Sequence, residues 1–451
     1  MLTIAGPASP GIDAGPVRPM HGFVDGGSPF GASRIRDRSS GGHGEPEWVS
    51  FRELVGSLPA EELTHAIHPY PARLLRQIPR YLLADDSIMD GVEAVIDPFC
   101  GSGTVLLEAR RASVSSIGID QNPVAALVSR VKTQDLNRAL AARAAVDVVR
   151  SAKQSRQIWE PPKFATRWFD PAALSVLGRL VISIGRSGTT GAERDYLDLC
   201  LALLARQIAA TDKHIPVPVS PKERAPAVMT RDVWAAFERI SATLAGRLEA
   251  LDGLPDREPV VVEGDVRSAE VWSSIPQRDE LILTSPPYGA AQKYVRSTSL
   301  ELAWLGKITN AGTAGLERGS IGREHLSRST QAATLERLGR LSVIQDEIDR
   351  LRDINVRRAA IYAAYFDDMA LVLNNAHDRQ SVRRLVLISG PNHVCGSELD
   401  TPKLLADLAE SSGFKPTHVY RDRIRGRSLL TTRRGLAPAA RYEQVEVFER
   451  G

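Results

Sequence analysis

The sequence predicts an α/β fold in which a doubly wound parallel sheet carries a helical insertion. Residues 94–96 form a short apolar run, a glycine-bearing turn follows, and residues 105–112 have helical periodicity. Residues 116–119 form a second such run, and Asn122 and Pro123 then stand where a helix cap and a first helical residue are expected. A strand–turn–helix unit that repeats in this way is typical of a parallel sheet with helices on both faces.

The middle of the chain has the periodicity of helices alone. Four amphipathic stretches follow one another without strand alternation, at residues 136–152, 170–184, 196–210 and 232–251. We therefore expect residues 133–256 to form a helical insertion. Strands are expected to resume at residues 260–263 and 280–284 because both runs are apolar and short.

The remaining elements lie at the two ends of the predicted sheet domain. Before the first strand, residues 53–58 and 73–83 are expected to be helical. A polar segment at residues 306–355 contains a predicted long helix near residues 335–351. Helices at residues 357–376 and 402–412, the second ending at Gly413, and strands at residues 384–389, 419–424 and 444–448 complete the prediction.

Composition restricts the class of protein. Residues 1–44 are rich in Gly, Pro and Ser and lack the apolar segment of a secretory signal, so residues 1–46 are expected to form a disordered tail. No apolar run is long enough to cross a bilayer. The 3 cysteines lack the spacing of a zinc site or a disulfide framework. These features predict a cytoplasmic protein without a bound metal.

The distribution of basic residues leaves a nucleic-acid partner open. The formal net charge is +3, which neither requires nor excludes one. The stretch 421–441 is a solvated loop or a strip that contacts phosphates, and its arginines are Arg421, Arg423, Arg425, Arg427, Arg433, Arg434 and Arg441. Other candidate phosphate contacts, each equally compatible with solvated surface charge, are Arg206, Lys213, Lys222, Arg224 and Arg231.

The first motif follows the strand predicted at residues 94–96. It reads D-P-F-C-G-S-G-T from Asp97 to Thr104. Glycines at this place let the backbone approach a ligand and expose the N–H groups at a helix start. The G-x-G part alone fits any nucleotide cofactor, or a tight turn without a ligand.

The second motif follows the strand predicted at residues 280–284. It reads S-P-P-Y from Ser285 to Tyr288. Adjacent prolines fix a rigid turn, which leaves a serine hydroxyl and backbone carbonyls as acceptors beside an aromatic ring. Such a group suits a flipped-out base that carries an exocyclic amino group. A kinked loop with a packing tyrosine is the alternative interpretation.

Together the two strings resemble the motifs of amino-group DNA methyltransferases, which methylate cytosine at N4 or adenine at N6. The resemblance extends from about residue 62 to about residue 434 and includes the segment H-P-Y-P-A-R at residues 68–73. It departs at Gly289 and Lys293, where many members carry Asn and Asp. It departs again at residues 390–392, where Gly-Pro-Asn replaces a Gly-Asn pair. These differences concern the substrate more than the chemistry.

The resemblance implies a Rossmann-like fold, S-adenosyl-L-methionine as the cofactor, and no metal. Asp120 matches the acid that binds the ribose hydroxyls, and Asp265 matches the acid near the adenine. The cofactor-binding residues implied are His68, Tyr70, Asp97, Phe99, Gly101, Ser102, Gly103, Thr104, Asp120 and Asp265. The catalytic residues implied are Ser285, Pro286, Pro287 and Tyr288.

The expected partner is double-stranded DNA, with a separate nuclease or defence-system subunit as a further possibility. Ser285 favours cytosine over adenine. The segments 133–256 and 306–355 are the candidate recognition regions, and residues 47–132 and 257–451 form the expected catalytic domain. No cysteine stands in a Pro-Cys context, which argues against methylation at carbon 5. The alternatives are an RNA base methyltransferase and a binding protein that keeps the fold without catalysis.

Overall fold

A computed structural model describes residues 46–59, 62–220, 229–290, 294–336, 342–424 and 440–451. Residues 1–45 of the predicted tail lie outside this range. So do seven basic residues named above, which are Lys222, Arg224, Lys293, Arg425, Arg427, Arg433 and Arg434.

The strands of the described residues form one large sheet and one small hairpin. They are β1 (Glu47–Val49), β2 (Ala94–Asp97), β3 (Ser115–Asp120), β4 (Val260–Glu263), β5 (Glu280–Thr284), β6 (Val382–Ser389), β7 (Asn392–Val394), β8 (Ser397–Leu399), β9 (Phe414–Arg423) and β10 (Tyr442–Arg450). The large sheet has the order β1-β9-β10-β6-β5-β2-β3-β4. Strand β10 is antiparallel to both of its neighbours, and every other neighbouring pair is parallel.

Helices cover both faces of the sheet. They are α1 (Phe51–Val55), α2 (Gln77–Leu82), α3 (Asp86–Met89), α4 (Thr104–Arg111), α5 (Pro123–Thr133), α6 (Arg138–Gln154), α7 (Lys163–Thr166), α8 (Pro171–Arg186), α9 (Gly191–Ile208), α10 (Thr230–Leu248), α11 (Ala269–Ser274), α12 (Tyr294–Ser297), α13 (Ser299–Trp304), α14 (Ala314–Gly319), α15 (Arg328–Glu336), α16 (Gln345–Ile354), α17 (Val356–Asp378) and α18 (Thr401–Ser411). Short 3₁₀ segments occupy Glu249–Leu251 and Ser342–Ile344. None of these helices is long and apolar enough to cross a membrane.

Alternation along the central strands divides the core between the two faces. In β5, Leu281 and Leu283 pack into one cluster while Ile282 packs into the other. In β6, Val386 and Ile388 join the first cluster, and Leu385 and Leu387 join the second. This period of two is what a strand buried on both faces requires.

The helical insertion follows α5 and ends before β4. Helices α6, α8, α9 and α10 pack on one another around a third cluster that contains Leu177, Leu197 and Phe237, all fully buried. Helix α13 contacts α9, and Trp304 belongs to the same cluster. The insertion is therefore joined to the segment that follows the S-P-P-Y loop.

Several element predictions differ from the structure. Helix α2 begins at Gln77 rather than residue 73. The residues before it form a loop, which the side chains of Arg73 and Arg76 tie to backbone carbonyls of the preceding segment. The predicted helix at residues 335–351 is wrong as one element, since a 3₁₀ segment precedes α16 at Ile344, which packs into the core. Strands β1, β7 and β8 were not predicted. Each has only three residues, too few to show a period.

Candidate active site

The D-P-F-C-G-S-G-T and S-P-P-Y loops meet at the switch point of the sheet. Strand β2 has β3 on one side and β5 on the other. The chain adds β3 and β4 on one side of β2 and later adds β5 and β6 on the other side, so the strand order reverses at β2. Ligands of open α/β sheets bind in the crevice at this point, outside the carboxyl ends of the strands. A cleft with about 1020 Å³ of space, including its open mouth, lies there and is lined by both loops.

Asp97 ends β2 and forms the link between the two loops. Its Oδ1 atom accepts hydrogen bonds from the Phe99 N–H at 3.1 Å and from Thr284 Oγ1 at 2.7 Å. Burial raises the pKa of Asp97 to about 7, although both hydrogen bonds act to lower it. Thr284 is the residue immediately before Ser285, so this contact fixes the start of the S-P-P-Y loop against the D-P-F-C-G-S-G-T loop.

Asp120 ends β3 and organises the adjacent wall. Its Oδ2 accepts from the Gly101 N–H at 3.0 Å and its Oδ1 from the Asn122 N–H at 2.8 Å. Burial raises the pKa of this carboxyl to about 6, and the two N–H bonds oppose the rise. Gly101 has a φ of 50°, a left-handed value that favours glycine. Each carboxylate oxygen has two lone pairs, so Asp120 can accept further hydrogen bonds from a ligand.

Asn122 connects α5 to the opposite wall of the cleft. Its side chain caps α5 by accepting from the Val124 N–H at 3.1 Å, as predicted. The same amide donates to Tyr70 Oη at 3.3 Å and to Thr298 Oγ1 at 3.2 Å. Tyr70, which was predicted to bind the cofactor, is thereby held over the turn that contains Gly101.

The S-P-P-Y loop is clamped just after its tyrosine. The carbonyl of Gly289 accepts from Tyr362 Oη at 3.1 Å and from Asn392 Nδ2 at 3.2 Å. A Cβ atom at Gly289 would lie 2.9 Å from Tyr362 Cε1. Asparagine, which many members of the similar family carry here, would therefore not fit without movement of Tyr362. Glycine at position 289 therefore fits the close approach of Tyr362, although it departs from the family pattern.

Four charged residues connect the part of the cleft wall that contains Asp265 to the turn that faces the S-P-P-Y loop. Both oxygens of Asp265 accept hydrogen bonds from Arg267. Arg267 Nη1 also donates to Asp368 Oδ1 at 2.9 Å, and Arg323 Nη1 lies 2.9 Å from Asp368 Oδ2. Burial raises the pKa of Asp368, and the two arginines oppose the rise. We call these four residues the ion-pair network.

The ion-pair network affects the predicted role of Asp265. Burial acts to raise its pKa, but the bonds from Arg267 outweigh that effect and hold the pKa below its usual value. Asp265 lines the cleft, yet a direct contact with a ligand requires Arg267 to release part of the carboxylate. The network also reaches the turn at residues 319–323, where the Gly322 carbonyl accepts from the Ala290 N–H at 3.2 Å.

Eleven of the fourteen predicted site residues line the cleft, and three do not. Those that do are Tyr70, Asp97, Phe99, Gly101, Ser102, Thr104, Asp120, Asp265, Ser285, Pro287 and Tyr288. Gly103 faces α5 instead, where a Cβ would lie 2.9 Å from Ser129 Oγ. Pro286 is buried in the loop. His68 is buried 3.8 Å from Glu301, and burial lowers its pKa to about 3, so it is neutral.

Residues not predicted for the site also line it, among them Gln121, Asn122, Tyr294 and Ser320. Gln121 and Asn122 could have been predicted from the sequence, because they directly follow Asp120 at the end of β3. Thr284, which does not line the cleft but orients its loop, ends the strand next to β2 and could also have been found. Ser320 had no signal of its own, since a serine in a polar segment is common.

The basic residues predicted to contact phosphates have varied surroundings. Arg206 donates to Glu301 at 2.8 Å, and Lys213 Nζ donates to the carbonyls of Arg206 and Ala209 near the end of α9. These two residues therefore stabilise the insertion. Arg421 lies over the Tyr442 ring and Arg423 over the Trp48 ring, with the cations 4.6 and 5.2 Å from the ring centroids.

Two relatives match part of the chain. It is 29% identical over 108 residues to the Type II methyltransferase M.MjaII of Methanocaldococcus jannaschii, and 30% identical over 95 residues to the Type II methyltransferase M.MvaI of Kocuria varians. The matches cover 24% and 21% of this chain, and 20% and 21% of the two relatives. The chain therefore spans about a fifth of the length of each relative that it matches.

No family model matches the chain. Among solved structures, the rRNA methyltransferase aviRa from Streptomyces viridochromogenes aligns with 89% of this chain and 96% of its own, at 11% identity and a TM-score of 0.30. That TM-score is too low to carry an argument. In the large sheet that the structure describes, the strand order and the antiparallel placement of β10 alone confirm the predicted doubly wound α/β class. The described residues form a doubly wound, mostly parallel α/β sheet with a helical insertion, and part of the chain is similar to Type II methyltransferases.

Proposed function

We propose that this protein is an S-adenosylmethionine-dependent methyltransferase that modifies the exocyclic amino group of a flipped base in double-stranded DNA. Cytosine N4 is the favoured target, because Ser285 opens the proline motif, and adenine N6 is the second. The observation that carries the proposal is the 2.7 Å contact between Thr284 Oγ1 and Asp97 Oδ1. It joins the D-P-F-C-G-S-G-T and S-P-P-Y loops in one cleft, as a two-substrate reaction requires.

The residues that line the cleft support the proposed cofactor. Asp120 would accept from the ribose hydroxyls, and Tyr70 and Phe99 would supply apolar walls. The turn at Gly101 would let the cofactor approach the backbone closely. Asp265 would lie near the adenine. Arg267 holds the Asp265 carboxylate in the free protein, so the adenine would contact the pair rather than the carboxylate alone. When bound, the cofactor supplies a methyl group that its sulfonium has already activated.

The protein residues would activate the amino group by accepting its hydrogen bonds. The nitrogen lone pair is conjugated with the base ring, which makes it a poor nucleophile. Ser285 Oγ, which lines the cleft, would accept from one N–H bond and localise that lone pair toward the methyl donor. The Pro286 carbonyl would accept from the other N–H bond, which requires the loop to turn that carbonyl into the cleft when the base enters. Tyr288 would hold the base by stacking. Most of the rate gain would come from positioning and electrostatics rather than from a general base.

The test is methyl transfer from labelled cofactor to duplex DNA and, separately, to total tRNA, followed by digestion and identification of the nucleoside. We expect N4-methylcytosine or N6-methyladenine in the DNA only. Ser285→Ala should abolish the product, while Ser273→Ala, an exposed serine of α11, should not. Tyr288→Phe, which keeps the ring, should retain more activity than Tyr288→Ala.

The other outcomes separate the alternatives. Label in tRNA alone would make the protein an RNA methyltransferase. No label and no cofactor binding would favour a binding protein that keeps the fold. As part of the same proposal, residues 47–132 and 257–451 form the catalytic domain, and residues 133–256 and 306–355 contact DNA. The protein would act in the cytoplasm, where a separate nuclease or defence-system subunit is a candidate partner.

A further inference from the structure

A second cavity opens from the wall of the cofactor cleft. It lies between α12, α14 and the turn at residues 320–325, with about 780 Å³ of space including its open mouth. We call it the side pocket. Tyr294, Val295, Ser320 and Ile321 line both cavities. A polymer that places one unit in the cleft beside Tyr288 would therefore have its next unit within reach of the side pocket.

The mouth of the side pocket carries two arginines with free guanidinium groups. Arg296 and Arg318 are both exposed, and neither forms a salt bridge or a side-chain hydrogen bond with another residue that the structure describes. The other two arginines that line the cavities, Arg73 and Arg323, are both engaged. Arg323 lies 2.9 Å from Asp368, and Arg73 donates to the His65 carbonyl at 2.8 Å.

The wall between the two cavities is held in place. Arg267 donates to the Gly319 carbonyl, and Arg323 Nη1 donates to the Ser320 carbonyl at 3.3 Å. Both arginines share Asp368, which is buried on α17. The ion-pair network thus fixes the turn that separates the cavities. A ligand would meet a pre-formed pocket, which lowers the entropic cost of binding.

The lining of the side pocket is mixed in charge. Glu317 and Glu324 line it and are half-buried, whereas the two free arginines are exposed. Glu317 accepts from Thr313 Oγ1 at 2.7 Å. Carboxylates suit the N–H groups of a base edge, and exposed arginines suit phosphates. A nucleotide carries both groups, whereas a simple anion would be repelled by the carboxylates.

We infer that the side pocket binds the DNA nucleotide next to the flipped one, with Arg296 and Arg318 as the contacts to its phosphates. This inference rests on the proposed function. It assigns to the protein a positioning site for the flanking phosphates, separate from the residues that hold the target base. Both arginines act on the DNA strand and not on the cofactor.

The experiment is DNA binding as a function of salt for the full chain, with Arg296→Ala, Arg318→Ala and the double variant. Each phosphate contact contributes about 0.9 to the slope of log K against log salt, so we expect the slope to fall by about one per arginine. Binding should weaken roughly tenfold per arginine. Cofactor affinity should stay the same. Arg383→Ala is the control, because Arg383 is exposed near the start of β6, at the amino ends of the parallel strands, whereas the cleft lies at their carboxyl ends. Arg383 pairs with Asp279, so its loss should change stability slightly but leave the salt slope unchanged.

The outcomes distinguish this inference from the proposed function. If the wild-type protein methylates DNA but the variants keep its slope and affinity, the inference is wrong and the function stands. If the slope falls on RNA alone, the site is real but the DNA assignment is wrong. If the wild-type protein neither binds nor methylates nucleic acid, both fail. Both substitutions are at exposed positions, so thermal melting should show unchanged folding.

Discussion

Replacement of Thr284 by valine tests the contact that joins the two loops of the cleft. Valine has nearly the shape of threonine but cannot donate to Asp97. Both side chains are buried, with 1% and 4% of their surface exposed, so water cannot replace the lost hydrogen bond. The contact therefore contributes to folding, and its contribution depends on the charge of Asp97.

The size of the effect should vary with pH. The pKa of Asp97 is about 7 in the folded protein, raised from 3.8, and the Thr284 hydrogen bond lowers it. A buried carboxylate with a raised pKa lowers the free energy of unfolding as pH rises through that pKa. Loss of the Thr284 hydrogen bond raises the pKa of Asp97 further, so the free energy of unfolding falls more at high pH. We expect Thr284→Val to cost about 1 kcal/mol near pH 5.5, where the bond is between neutral groups, and about 2 kcal/mol near pH 8.5, where Asp97 is ionised.

Urea unfolding at the two pH values measures the difference. Thr284→Ser, which keeps the hydroxyl group, is the matched control and should show a smaller loss with no pH dependence. Thr284→Val should also lower turnover, because Thr284 directly precedes Ser285 and positions it. An equal loss of stability at both pH values would refute the reasoning that Thr284 supports an ionised Asp97, and no loss would show that the contact contributes nothing.

Three further changes probe the cleft and its supports. Asp120 has a pKa of about 6, so cofactor affinity of the wild-type protein should fall as pH drops through about 6. Asp120→Asn should bind roughly tenfold more weakly without that fall, as calorimetry can show. Gly289→Ala should cost about 2 kcal/mol and lower kcat, since its Cβ would lie 2.9 Å from a ring carbon, whereas Gly185→Ala in α8 meets nothing within 4 Å and should be neutral or stabilising. Asp368→Asn should cost about 3 kcal/mol in urea unfolding, because it leaves two arginines without their shared carboxylate. The control is Asp367→Asn, at the neighbouring half-buried residue of the same helix. Equal losses of stability for the two variants would contradict the role of the ion-pair network.

The sequence predicted the sheet more completely than the site. Strands β2, β3, β4 and β5 were predicted within one or two residues, because their apolar runs are short and their turns carry Gly, Pro and Asn. The cap at Asn122 was confirmed for the same local reason. Strand β1 was missed. It is too short for a pattern, and its partner β9 lies more than 360 residues away in the chain.

The placement of His68 and Gly103 shows the limit of a motif. Both lie within strings that resemble known cofactor motifs, and both were expected to contact the cofactor. In the structure His68 packs behind Tyr70, and Gly103 makes room for Ser129 of α5. Some residues of a motif are needed for the packing of the loop and do not contact a ligand. A motif by itself does not separate the two kinds of residue.

By itself, the sequence determined the fold class, the two loops and the residue types that they bring to the carboxyl edge of the sheet. These follow from local periodicity and turn chemistry, which act over a few residues. The tertiary structure alone decided that Thr284 donates to Asp97, that Asp368 joins Arg267 to Arg323, and that a side pocket opens beside the cleft. These contacts join residues 45 to 187 positions apart in the chain. Only the packing of helices on the twisted sheet fixes such distances, and no local pattern encodes them.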